Sequence, residues 1–209
     1  VLFKNACHVI LRVIIWFALP VATITFFTRG YLVNFIKNGG DTLMAGLLGA
    51  LVVAILFRSI YHIAARSFYA QQDTKTPFYI SIFAISLNIF LAVWFTMKLD
   101  MGAYGLAWAQ SIVAATEVAI LFFVMARRIE GLFDVAFVHA VGRMVSATGF
   151  MAIISYLSVV LFQLQGADQS FFATFPKFAL IVAIRLTSYV GFFRLFHLMD
   201  ARPLLTFAN

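Results

Sequence analysis

Apolar residues run through this chain in six long blocks, at approximately 9–28, 42–65, 78–97, 103–126, 144–162 and 172–193. Each block holds about 20 residues, enough at a rise of about 1.5 Å per residue to cross a hydrocarbon core of about 30 Å. Lipid-exposed backbone must satisfy its own hydrogen bonds, and the blocks lack the alternation of barrel strands. The pattern therefore predicts an all-α, polytopic transmembrane bundle of about six helices, forming one domain over residues 1–209.

The connections between the blocks are short, and most contain turn-forming residues, as at 38–41, 100–102 and 165–168. The last block is the least regular, because Lys177 and Arg185 interrupt it and Pro176 suits a first helical turn. Pro20 lies inside the first block, where the missing N–H predicts a helix kink. Such a kink suits a moving helix, although many transmembrane prolines are only structural.

Composition supports a membrane protein and argues against several other classes. Hydrophobic residues make up 64% of the chain and charged residues 11%, against about 25% charged in a soluble domain. The net charge of +7 is scattered among the connections, which fits anionic lipid headgroups and not nucleic acid. A single cysteine, Cys7, excludes an internal disulfide, and no Cys/His spacing suggests a metal or another cofactor.

The distribution of Lys and Arg predicts the orientation. Nine of these residues lie on the side of the chain ends, namely Lys4, Arg12, Arg66, Lys75, Arg127, Arg128, Arg143, Arg194 and Arg202. Four lie on the other side, namely Arg29, Lys37, Lys98 and Lys177. Under the positive-inside rule both ends are cytoplasmic. Position 1 is Val and no basic leader precedes the first block, so we expect an internal or C-terminal piece of a longer protein.

Small residues predict where helices approach closely. They cluster in the second block and at the start of the fourth, namely Ala45, Gly46, Gly49 and Ala50, then Gly102, Gly105, Ala107 and Ala109.

Four ionisable residues at membrane depth are candidates for a substrate cavity. Arg58 and His62 are four residues apart, so they could present a cationic strip to an anionic ligand. Alternatively, Arg58 snorkels to the headgroups and His62 is neutral and hydrogen-bonded. Glu117 could be a proton or cation site, or the ion partner of Arg58 or Arg185. Arg185 itself could contact a phosphate or join two helices.

Nothing in the sequence favours catalysis. The chain has no Gly-rich phosphate loop, no HExxH and no serine elbow, and its carboxylates are too dispersed for an acid/base pair. We therefore expect a protein that is not an enzyme.

One polar segment, Arg66 to Pro77, connects the second and third blocks. Asp73, Thr74 or Thr76 can cap the following helix, and Pro77 fits its first turn. The segment reads Arg-Ser-Phe-Tyr-Ala-Gln-Gln-Asp-Thr-Lys-Thr-Pro, which closely resembles the FYAxxDTxTP junction of the MurJ/MviN family of bacterial lipid II flippases. The matching residues are Phe68, Tyr69, Ala70, Asp73, Thr74, Thr76 and Pro77.

The resemblance implies an exporter fold of fourteen helices in two lobes, working by alternating access in the bacterial cytoplasmic membrane. The six blocks look like the ninth to fourteenth helices, so the N-terminal lobe is missing. The implied partners are the lipid-linked peptidoglycan precursor and membrane lipids. The last two helices resemble those that line a groove for the isoprenoid tail. The family's best-known cavity arginines lie on helices absent here and cannot be assigned to any residue.

Two other functions remain open at this point. One is a flippase for another polysaccharide-lipid, or a multidrug exporter of the same superfamily. The other is a membrane enzyme or scaffold of envelope synthesis, for which the sequence upstream would decide.

Overall fold

The computed structural model describes residues 2–37, 40–128, 135–161 and 171–195, and this part of the chain contains helices and no strand. The helices are α1 (Leu2–Ile36), α2 (Thr42–Ala70), α3 (Lys75–Val93), α4 (Ala103–Arg128), α5 (Val135–Leu161) and α6 (Phe171–Leu195). A π-helical turn, Trp94–Lys98, continues α3. Six of the described helices are long and apolar enough to cross a membrane, which confirms the predicted class and number of spans.

The helices extend beyond the apolar blocks that predict them. The first block ends at residue 28, whereas α1 continues to Ile36, and its last turns bury Tyr31, Val33 and Asn34. Packing, and not hydropathy alone, sets the end of this helix. The helix also passes through Pro20, whose ring is buried. The helix kink at Pro20 stays a prediction. The predicted turn at 165–168 lies outside the described residues.

The chain divides into two compact units. The first unit comprises residues 1–18 and 50–137, and the second comprises residues 19–49 and 138–209. Because the division falls within α1 and α2, each of these helices contributes a part to both units. The expectation of a single domain stays a prediction.

Close helix contacts in the first unit use the predicted small residues. The Ser111 hydroxyl of α4 donates a hydrogen bond of 2.6 Å to the carbonyl of Ala50 on α2. Gly105 packs so closely on the π-helical turn that an added Cβ would lie 2.9 Å from the Phe95 Cβ. Ala107 and Ala109 are also buried. Small side chains therefore let α4 pack tightly, as the sequence predicts.

The second unit is held by polar and aromatic contacts between α1 and α6. The Asn34 amide donates a hydrogen bond of 2.8 Å to the Thr174 hydroxyl, and both side chains are buried. Nearby, the rings of Phe35 and Phe178 meet edge to face with centroids 5.3 Å apart. These contacts explain why α1 stays helical through residues that the hydropathy pattern assigns to a connection.

Candidate functional site

The strongest candidate site lies in the first unit, where α2 faces α4. Arg58 Nη2 donates a hydrogen bond of 3.3 Å to Gln110 Oε1, and Arg58 Nη1 lies 3.8 Å from Glu117 Oε2. Gln110 and Glu117 are seven residues apart on α4, so they share one face of that helix. We call Arg58, Gln110 and Glu117 the Arg58 cluster. The structure therefore selects Arg58, among the alternatives open from sequence, as an ion partner of Glu117.

The two charges of the Arg58 cluster are unequally exposed. Glu117 is 4% exposed, while the Arg58 side chain is 43% exposed. A buried carboxylate needs a nearby positive charge, and the guanidinium supplies it. Glu117 Oε2 accepts no hydrogen bond, so the pair is a loose one. The Arg58 side chain is therefore only partly enclosed by its partners on α4.

His62 contacts Tyr61, its neighbour on α2. Its ring is exposed and lies 5.9 Å from the ring of Tyr61, edge to face. Tyr61 in turn shares a hydrogen bond of 2.9 Å with Ser81 of α3. His62 thus follows Arg58 by one helical turn, as predicted, beside a residue that ties α2 to α3.

Arg185 occupies a different environment in the second unit. Its side chain is fully buried, and its guanidinium donates to two backbone carbonyls, Ile24 at 3.2 Å and Ser155 at 3.1 Å. It also lies 5.9 Å from the centre of the Phe27 ring. These contacts join α6 to α1 and α5. Of the two roles left open by the sequence, the geometry favours joining helices.

The connection between α2 and α3 is organised by one carboxylate. Asp73 Oδ1 accepts hydrogen bonds from the backbone N–H groups of Lys75 at 3.0 Å and Thr76 at 3.1 Å. Asp73 Oδ2 accepts a bond of 2.6 Å from the Thr76 hydroxyl and pairs with Arg128 of α4. The Arg128 guanidinium also lies 5.6 Å from the centre of the Phe68 ring. Asp73 therefore caps α3 and fastens it to the end of α4.

These contacts correct the predicted length of the connection. Residues 66–70 belong to α2 and residues 75–77 to α3, so only residues 71–74 are non-helical. Thr74 stands next to the first residue of α3, but its side chain makes no capping bond, so that option is wrong. Pro77 is buried in the first turn of α3, as predicted. The apolar ring of Phe68 is buried as well, while Tyr69 and Ala70 are exposed.

The charge of Asp73 is strongly stabilised. Hydrogen bonds from the Thr76 hydroxyl and backbone N–H, followed by the bond and charge of Arg128, lower the pKa of Asp73 to about 2. Lys37 and two backbone N–H groups likewise lower the pKa of Asp41, at the start of α2. Both carboxylates sit where a helix begins, where negative charge is favoured.

Sequence reasoning missed three partners of these charged residues. Arg128 entered only as one of the basic residues that set orientation, and Ser155 was not considered. Gln110 lies two turns before Glu117 on the same helix, but the sequence does not predict it as a partner of Arg58. Antiparallel order could have suggested the Arg128 contact, because the end of the fourth helix returns to the side of the second connection. The partner of Arg185 is a backbone carbonyl, which every residue carries, so the sequence cannot indicate which carbonyl it is.

Comparison with known proteins now identifies the chain. Its six apolar helices define a multi-pass α-helical membrane protein. A family model described as "Lipid II flippase MurJ" matches residues 3–176, so the chain belongs to the lipid II flippase MurJ family. A curated relative, the "Probable lipid II flippase MurJ" of Borreliella burgdorferi, is 27% identical over 124 residues. That match covers 56% of this chain and 24% of the relative, so the chain spans about a quarter of its length.

Proposed function

We propose that this chain forms the C-terminal part of a flippase that moves lipid II across the cytoplasmic membrane by alternating access. Family membership supports the substrate, since the matching family and relative are named for it. The process moves a lipid-linked headgroup and makes or breaks no covalent bond. The six spans would be the last six of a larger array, with both ends of the chain in the cytoplasm.

The observation that carries this proposal is the half-exposed side chain of Arg58 beside Gln110 and Glu117. Lipid II carries a pyrophosphate, and a planar guanidinium pairs well with phosphate oxygens. Gln110 and Glu117 hold one side of Arg58, while 43% of its side chain stays accessible. We assign Arg58 to the cavity wall, with Glu117 setting its position and His62 extending the positive strip by one turn.

Arg185 has a different role in this proposal. Its two carbonyl partners and its complete burial leave no room for a phosphate in this arrangement of the helices. It would hold α6 against α1 and α5, and so shape the apolar groove of the last two helices from within.

Arg58→Gln in the full-length flippase tests the assignment. The variant should transport lipid II about tenfold more slowly or worse, because a charge-assisted contact to phosphate is lost. Lysine at the same position should restore part of the activity. The matched control is Arg66→Gln, two turns further along α2 at an exposed position. Growth of a flippase-depleted strain and a direct flipping assay would measure both variants; equal activity of R58Q and R66Q would contradict the assignment.

A second experiment tests whether this part suffices alone. Residues 1–209 would supply only part of a cavity wall, so their expression should not restore growth of a flippase-depleted strain. Full growth on this segment alone would overturn the proposal that it needs further helices.

A further inference from the structure

A cavity lies within the second unit, and none of its lining residues belongs to the Arg58 cluster. It has a volume of about 590 Å³ and is bordered by α1, α2 and α5. Its walls are aromatic and small residues around one charged side chain, namely Phe26, Phe27, Gly30, Tyr31, Ala45, Tyr156 and Val159 around Arg29. The proposed transport mechanism assigns no task to this cavity.

Arg29 brings an unneutralised positive charge to the cavity. Its guanidinium lies 4.5 Å from the centre of the Phe26 ring, and in the described part of the chain it makes no hydrogen bond or ion pair. Gly49 of α2 makes room for it, because a Cβ at that position would lie 2.8 Å from Arg29 Nη1. A guanidinium with five N–H donors is thus held beside a cavity without an anionic partner.

The depth of Arg29 suits a lipid headgroup. The apolar span of α1 runs for 28 residues to Ile36, so it is longer than a core of about 30 Å requires. Arg29 lies seven residues before that end, about 10 Å along the helix axis. The long arginine side chain can therefore reach the level of the phosphates.

The surface beside the cavity suits acyl chains. Phe26 and Tyr156, which line the cavity, are both exposed, as are Ile153 and Leu157 on α5. Aromatic side chains are typical of the membrane–water boundary, and the aliphatic ones continue as an apolar face. A ligand could thus place an anionic group at Arg29 and apolar chains along α5.

We propose that this cavity binds the phosphodiester headgroup of an anionic phospholipid, in the leaflet that faces the Ile36 end of α1. Arg29 contacts the phosphate, the Tyr156 hydroxyl is a second donor, and the chains pack on Ile153 and Leu157. The site would hold a membrane lipid and uses none of the residues of the Arg58 cluster.

Native mass spectrometry of the full-length protein with dioleoyl phosphatidylglycerol tests this site. Arg29→Gln should raise the Kd of the tightest bound lipid about tenfold, because a charge-assisted contact is lost. The matched control is Arg127→Gln, since Arg127 also lies over a phenylalanine ring, at 5.0 Å from Phe123. Arg127 does not line this cavity, so R127Q should leave the Kd unchanged. If both variants raised the Kd equally, general surface charge would explain the lipid binding, and the proposal would be overturned.

Gly49→Ala tests the cavity without removing the charge. The new methyl group must displace the flexible end of Arg29, so lipid binding should weaken while the protein stays folded. Chain-matched phosphatidylcholine should bind more weakly than phosphatidylglycerol. If glycerol phosphate or inorganic phosphate displaced the lipid at equal concentration, the chains would contribute nothing, and a free anion would be the ligand instead.

Discussion

Asp73 is the residue whose role changes most when its neighbours are known. In the sequence it is one of three possible helix caps in a motif that identifies a family. In the structure it accepts two backbone bonds and one hydroxyl bond, and it pairs with Arg128. Its carboxylate thus connects the start of α3 to the end of α4. Arg128 is far away in sequence, so only the fold could reveal this pairing.

The lowered pKa of Asp73 predicts a pH dependence of stability. A carboxyl group with a pKa of about 2 in the folded protein, against its ordinary value of 3.8, stabilises the fold above about pH 4. This contribution is lost as the pH falls from about 4 towards 2. Asp73→Asn should lower stability at neutral pH and remove this part of the acid dependence. Thermal unfolding of the purified protein between pH 2 and 7 would measure both.

The same measurement with Arg128→Gln supplies the control. Because Asp73 and Arg128 interact, R128Q should cost less in a D73N background than in the native chain. If the stability losses of D73N and R128Q were additive, the two side chains would contribute no coupling energy. The capping bonds of Asp73 alone would then explain the loss in D73N.

The close packing around Gly105 predicts that adding a single methyl group there lowers the stability of the protein. An added Cβ would lie 2.9 Å from the Phe95 Cβ and 3.0 Å from its carbonyl carbon, which is backbone and cannot move aside easily. Gly105→Ala should therefore destabilise the protein by about 1–3 kcal/mol. Gly149→Ala on α5 is the control, because nothing lies within 4 Å of its Cβ position. Chemical unfolding would compare them, and equal stability would contradict the close packing.

At the scale of helices, hydropathy predicts the presence of a helix better than it predicts where the helix ends. Six apolar blocks predict six helices, since any span in lipid must satisfy its own backbone hydrogen bonds. The same pattern places the end of the first helix at residue 28, eight residues before the observed end at Ile36. The extra turns contain Arg29, Gly30 and Asn34, which hydropathy counts against a span. They remain helical because Tyr31, Val33 and Asn34 are buried by other helices.

The contact between α2 and α4 predicts a measurable interhelical hydrogen bond. Ser111→Ala removes the bond to the Ala50 carbonyl and should cost about 0.6 kcal/mol, the average for such bonds in membranes. Ser146→Ala is the matched control, because the Ser146 hydroxyl is exposed and bonds only within α5, to Gly142. Equilibrium unfolding of both variants would measure the difference; an S111A variant as stable as S146A would exclude a contribution from this bond.

At the scale of the whole molecule, charge distribution predicts an orientation that can be measured directly. Both chain ends and the connection at 71–74 should be cytoplasmic under the positive-inside rule. In a Cys7→Ser background, a membrane-impermeant maleimide applied to intact cells should label Thr42→Cys and Leu99→Cys. Gln71→Cys should react only after the cells are permeabilised. The three positions are exposed and lie at helix ends, so access and not burial decides the result.

The opposite labelling pattern would invert the proposed orientation. The cysteine-free background would verify that no other residue reacts, since Cys7 is the one cysteine in the sequence. Permeabilised cells, in which all three variants should react, would control for the expression of each variant.

By itself, the sequence determined the class of this protein, the number of its spans and the family that it resembles. These features follow from local properties, because the hydropathy of consecutive residues decides which segments can cross the membrane. The family motif is likewise a run of consecutive residues. Tertiary structure decided which charges meet. Arg58 faces Glu117 across two helices, Arg185 finds backbone carbonyls, and Arg29 is left beside a cavity. Helix rotation and packing set such pairings, and no short stretch of sequence encodes them.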